Sequence, residues 1–153
     1  MWKNRKHFLI STAALWGCSR MDKITFTLPE QFPLLNVQQR RHFRTRGKMK
    51  ISTARQIIAL LGAERPAEPF QKARVTVTRY SSGSPDRDGL YGGVKDLLDC
   101  LTTPSPQANG KVRNKYGIGL IVDDSPAHIE LDVRAERCRR AEQRTEVVVE
   151  ALA

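Results

Sequence analysis

Two stretches of this chain alternate apolar and polar residues so strictly that only extended strands with one buried face accommodate them. Ile24 to Leu28 reads Ile-Thr-Phe-Thr-Leu, and Ala73 to Tyr80 reads ARVTVTRY. Side chains two apart in a strand point to the same side, so each stretch has one apolar face. Each is followed by apolar residues at helical spacing instead. After the first, Pro29 and Pro33 break the chain and Ser52 is a capping type. Ala54, Ile57, Ile58 and Leu61 then share a helical face, and Gly62 is a natural stop. After the second, the turn SSGSP leads to Leu90, Val94, Leu97, Leu98 and Leu101, the apolar face of another helix. GLIVDD (119–124) reads as a short apolar strand, and HIELDVRAERCRR and TEVVVEAL as an antiparallel pair joined by the polar AEQR turn. Both AERPAEP and TTPSPQANGKVRNKYG read as irregular connections. The order β-α-β-α-β-β-β predicts a single α+β domain, with helices packed on one face of a mixed or antiparallel sheet.

A length of 153 residues suits one domain with a real hydrophobic core. The first twenty residues imitate an export signal, with Lys3, Arg5 and Lys6 before a mildly apolar run from Phe8 to Cys18. The run is too short and too polar to span a membrane. Its LWGC resembles a lipoprotein cleavage box, but bulky Trp16 stands where a small residue is usual. Met21 directly precedes the first strand, so residues 1–20 are read as a poorly ordered extension and 21–153 as the domain. Cys18, Cys100 and Cys138 form no CxxC pair and no disulfide framework, which points to reduced thiols in a cytoplasmic protein with no membrane attachment. Cys100, among Leu97, Leu98 and Leu101, reads as core.

Lys and Arg number 26 against 16 Asp and Glu, a net charge of +10. A surplus of that size favours polyanions, nucleic acid above all. It is concentrated between Glu30 and Glu64, where Arg40, Arg41, Arg44, Arg46, Lys48, Lys50 and Arg55 occur with no acidic residue among them. Such a run is either a solvated face or a track for DNA phosphates, and the lack of acids along it favours the track. Phe43 interleaves with these cations as a candidate wedge at a branch point.

Against this background SPDRDGLYGGVKDLLDCL (84–101) crowds Asp86 and Asp88 around one arginine. In an extended segment both carboxylates aim at one point while Arg87 faces away. Their mutual repulsion is relieved by a cation, and Mg²⁺ prefers hard oxygen ligands of this kind. Asp123 and Asp124 form a second acidic pair at the end of an apolar segment, and strand alternation allows only one of them to join the first site. The bland alternatives are two β-turns, PDRDG and DDSP, and an i,i+4 pair of Lys95 with Asp99 on an exposed helix. Tyr91, Gly92 and Gly93 would let a phosphate approach the helix start. His7, His42 and His128 have no partner at ligand spacing and receive no role.

DRDGLYGGVKDLLDCL followed by GLIVDD resembles the RusA family of Holliday-junction resolvases, common in phages and prophages. The family pattern is D-x-D, a helix carrying K-x-x-x-D-x-L, and an apolar strand ending in D-D. Asp86 and Asp88 match the first part, Lys95, Asp99 and Leu101 the second, and Asp123 and Asp124 the third. ITFTLPEQFPLLN is similar to the family's opening strand and Pro-rich loop. The likeness runs from about Ile24 to the C-terminus. Gly89 stands where the family has Asn, and about three extra residues near Tyr91 to Gly93 precede Lys95.

The resemblance implies a Mg²⁺-dependent endodeoxyribonuclease that cuts four-way junctions in DNA recombination and repair. It implies Asp86, Asp88 and Asp124 as metal-binding catalytic carboxylates, Lys95 as a further catalytic group, and a homodimer nicking opposed strands. The competing reading is a non-catalytic basic DNA- or RNA-binding protein that retains the fold. The TEVVVEAL segment is expected to be sheet core rather than an interface.

Overall fold

A computed structural model of the chain describes residues 22–153. The expected N-terminal extension, with Cys18, lies outside the described residues. Strand β1 (Lys23–Leu28) leads to helices α1 (Leu35–Arg40) and α2 (Phe43–Leu61), then strand β2 (Ala73–Ser81). Helices α3 (Arg87–Gly93) and α4 (Lys95–Leu101), a minimal hairpin of β3 (Ser105–Pro106) and β4 (Val112–Arg113), and strands β5 (Ile129–Arg137) and β6 (Arg144–Ala151) follow. The protein is a single α+β domain built on a mixed sheet of order β1-β6-β2-β5.

The alternation decides which sheet face is covered. Ile24, Phe26 and Leu28 of β1, Ala73, Val75 and Val77 of β2, and Val147 and Val149 of β6 are buried on one side. Register places Val77 opposite Val147, and Val75 opposite Val149, so this face is one continuous layer of branched side chains. The helices cover it with Ala54, Ile57 and Leu61 from α2 and Leu97, Leu98 and Leu101 from α4. TEVVVEAL is therefore core, as expected. The other face carries ion pairs such as Lys23–Glu150, Arg74–Glu130 and Arg144–Glu146.

Several expectations are corrected. The last two strands do not pair with each other. They run in opposite directions, but β2 lies between them, parallel to β5 and antiparallel to β6. Ala73, Val75 and Val77 are wholly inaccessible, and a strand that apolar belongs between two neighbours rather than at an edge. GLIVDD is not a strand. Gly119 turns the chain with φ +73°, and the N–H groups of Leu120 and Ile121 both donate to the Leu101 carbonyl, which interrupts a regular ladder. What remains is a buried crossing, with single bridges from Ile121 to Phe70 and Thr102.

Helix α2 begins nine residues before the expected Ser52. His42 is its cap, with Nδ1 accepting from the Arg44 N–H at 3.3 Å. Ser52 sits exposed in its middle, Ile58 is 42% exposed rather than on the apolar face, and Gly62 stops the helix at φ +48° as foreseen. The second helical face is buried as read, but Val94 divides it into α3 and α4. The loop after α4, expected to lack regular structure, closes on itself where Ser105 and Pro106 pair with Arg113 and Val112.

One loop fixes where these helices stand. The Thr145 hydroxyl accepts from the Phe32 N–H at 2.9 Å and donates to the Glu30 carbonyl at 2.8 Å. Buried Arg79 donates from Nε to the Phe32 carbonyl at 2.8 Å. Residues 30–33 are thereby tied to the sheet and deliver α1 against α3. Gly93 serves that contact: a Cβ there would lie 2.4 Å from the Pro33 carbonyl oxygen. Gln38 Nε2 donates to the Gly93 carbonyl at 2.6 Å. Gly92 likewise abuts Leu35. These glycines make room for a helix, not for the phosphate expected from the sequence.

Candidate functional site

Asp86 has extended backbone, but the chain turns into helix α3 at the next residue, so it shares no extended segment with Asp88. It is the N-cap of α3, and its carboxylate accepts from the Gly89 N–H at 3.1 Å. An aspartate preceding a first turn satisfies one of the helix's unpaired donors, which explains the local fold. Asp88 is in the first turn, where its charge suits the helix dipole. Helical geometry turns residues by about 100° each, so positions two apart do not aim at one point. Both side chains are exposed.

Asp124 is in different company. Its side chain is only 8% exposed and is held by Lys95 Nζ and by Arg113, whose Nη2 lies 3.6 Å away. The Lys95 ammonium also reaches Asp99 at 3.1 Å. The i,i+4 pair foreseen as the bland alternative is thus present, but it is half of a bridge to a distant segment. Asp123 is more open and lies 3.8 Å from the same Arg113. Of the two acids, Asp124 is the one turned towards Lys95.

The bridge extends into helix α2. Lys50 binds Asp99 at 2.6 Å and Asp96 at 3.3 Å, while Arg46 grips Asp96 through Nη2 at 2.7 Å and Nε at 3.1 Å. Arg46, Asp96, Lys50, Asp99, Lys95, Asp124, Arg113 and Asp123 therefore form one line in which charges alternate. The sequence reading that α2's cations lack acidic partners is corrected for Arg46 and Lys50, because α4 supplies the acids. Arg40, Arg44 and Lys48 form no ion pair among the described residues, and Arg41 instead contacts the Met49 sulfur at 2.8 Å.

Titration follows this geometry. Partial burial works against the ammonium groups of Lys50 and Lys95, but their carboxylate partners outweigh it and raise both pKa values. Burial likewise works against the Asp96 carboxylate, yet the Arg46 hydrogen bond and the Lys50 charge hold it below the usual carboxylate range. Arg46 is raised chiefly by its bond to Asp96. The Cys100 thiol, buried at the base of this line as expected for core, is pushed up to about 12 by desolvation.

Among the described residues, no group of three or more His, Cys, Asp and Glu side chains is placed to hold a metal ion. In this arrangement Asp86, Asp88 and Asp124 do not form a ready ligand set: the first caps a helix and the last is engaged by two cations. A cation at Asp124 would compete with Lys95 and Arg113.

Beside the line lies a groove of about 390 Å³ between the start of α2, α4 and the β3–β4 hairpin. Phe43, Arg46 and Lys50 form one wall, Val112, Lys115 and Tyr116 the other, and Asp99 and Cys100 the base. The sequence analysis singles out none of Lys115, Tyr116 and Asp96; the run K-V-R-N-K-Y is the only signal for the first two.

Among the described residues, no helix is long and apolar enough to cross a membrane. No model of a known protein family and no curated protein matches the chain.

Proposed function

We propose that the protein is a cytoplasmic, structure-selective endodeoxyribonuclease that resolves four-way DNA junctions in recombination and repair, working with Mg²⁺ as a homodimer. The observation that carries this reading is the meeting of Lys95 with both Asp99 and Asp124. These residues belong to separate parts of the RusA-like pattern, and core packing alone does not require their charged ends to converge. In this reading the cations along α2 hold backbone phosphates, giving an affinity that falls steeply with salt. Lys95 turns from its carboxylates to the scissile phosphodiester and stabilises the charge that develops there. Two copies related by a two-fold axis would present this group to opposed strands. Mg²⁺ belongs to the proposal through the resemblance alone.

The second reading, a non-catalytic DNA- or RNA-binding protein, is favoured by the lack of an assembled carboxylate group among the described residues. Labelled four-way junctions incubated with the protein, with and without Mg²⁺, separate the two. Paired nicks that require Mg²⁺ support the nuclease, whereas retention without nicking supports the binder. Asp88→Asn is expected to abolish cleavage while binding persists or tightens, because a negative charge facing DNA is removed. Cleavage at the parent rate would take Asp88 out of the site.

A further inference from the structure

The groove between α2 and the hairpin has features that phosphate binding does not explain. Phe43 is 72% exposed at its mouth, and Val112 on the opposite wall is 48% exposed. A single exposed ring is ordinary, but one that faces a second exposed apolar side chain across a polar-rimmed groove suits a binding surface. His42 lies against this ring at 4.4 Å between centroids, and the Arg44 guanidinium sits 5.8 Å from its centre. These neighbours steady the ring without covering it. Tyr116 on the other wall has the Lys115 ammonium 4.9 Å from its own ring centre.

Of the lining cations, Arg46 and Lys50 are balanced by Asp96 and Asp99, while Lys115 adds an uncompensated positive charge to the rim. Arg46 uses Nε and one Nη on Asp96, which leaves further guanidinium donors. The volume falls within the range of small-ligand sites, roughly 300–1,000 Å³. Two aromatic walls and a cationic rim fit a flat, π-faced, anionic ligand.

We infer that this groove takes an unpaired nucleotide of a nucleic-acid strand, with its base against Phe43 and Tyr116 and its phosphate on Lys115 and Arg46. This deepens the nucleic-acid reading above and rests on it. It goes beyond that reading in predicting that the protein recognises bases that have left the stack, not only backbone charge. Adjacent residues of β4 serve two sides: Val112 lines the groove while Arg113 holds Asp123 and Asp124. Asp99 belongs both to the groove and to the Lys95 bridge. A nucleotide held here would therefore lie next to Lys95.

The test uses the full chain, a short oligothymidylate, and an oligonucleotide of equal length whose units are abasic. The protein should prefer the base-bearing strand. Phe43→Ala should weaken that binding by about 5- to 150-fold, the range for losing one base–aromatic stack. It should leave abasic binding and the salt dependence unchanged, because no charge is removed. Phe43→Trp should restore affinity, and because the position is exposed both variants should melt at the parent's temperature. Equal affinity for the two strands, or an equal loss on both in Phe43→Ala, would overturn the inference. Junction cleavage with Mg²⁺ is measured separately. Cleavage without base preference sinks the groove and spares the nuclease, while base preference without cleavage does the reverse.

Discussion

Asp86 and Asp88 are neighbours in the sequence but separate at the start of α3, whereas Asp99 and Asp124 are distant in sequence and share one lysine. The first pair faces water and one member completes a helix end. The second is largely buried and sits among cations from three segments of the chain. Proximity along the chain marked a turn into a helix. Proximity in space came from α4 lying against the buried 119–124 crossing. The comparison teaches that a conspicuous motif and an assembled site need not coincide.

Within the second region the largest effect should come from Lys95, the group common to its two carboxylates. Lys95→Ala is expected to slow single-turnover junction cleavage by about a hundredfold or more, with affinity nearly unchanged, as for the loss of one electrostatic catalyst. Affinity at several salt concentrations and single-turnover rates measure the two quantities separately. A variant that loses affinity but keeps its rate would make Lys95 a phosphate clamp and dissolve the contrast.

Asp96 probes how firmly the second region is held. Asp96→Asn leaves Arg46 and Lys50 without their shared carboxylate, and should cost about 1–2 kcal/mol, below the value for fully buried pairs because both cations remain partly exposed. Its folded pKa is depressed, so its contribution is fully present above the ordinary carboxylate pKa and lost as pH falls through the lower folded value. Urea unfolding at neutral pH should separate the variant from the parent, and the gap should narrow as acid protonates Asp96. A gap that widens in acid would assign the stabilisation elsewhere.

The smallest effects on folding stability belong to the first pair. Asp86→Ala should lower stability by about 1 kcal/mol through loss of the cap. Asp88→Asn should cost about 0.3–1 kcal/mol at low salt, the worth of a charge near a helix dipole. Urea midpoints measure both. If Asp88→Asn stabilised the fold, its carboxylate would be under repulsion, as at a functional site, and the contrast would weaken.

The strands β1 and β2 and the apolar faces of α3 and α4 were legible because period-two and helical spacing are local properties. The place of β6 between β1 and β2 was not, since adjacency depends on which strand is most apolar on its covered face. The start of α2 was missed because His42 is an uncommon cap and its first turns, FRTRGKMK, carry no apolar residues at helical spacing. Their reason for being helical lies on α4, where Asp96 and Asp99 receive Arg46 and Lys50. The same blind spot hid the groove, whose walls are joined only by folding. The pairing of Lys95 with Asp99 was legible from their i,i+4 spacing, whereas Asp124 was joined to them in advance only through motif likeness.

The line from Arg46 to Asp123 contains four cations and four anions, so it is electrically silent at a distance. The +10 surplus of the sequence resides entirely outside it. A polyanion approaching from beyond a Debye length, about 8 Å at physiological salt, would be steered by Arg40, Arg44, Lys48 and their like and would be blind to Lys95. On the proposed reading, attraction and chemistry would fall to different charges. Added salt would thin the long-range pull while leaving the partly buried line almost intact, so capture would fail well before the site itself came apart.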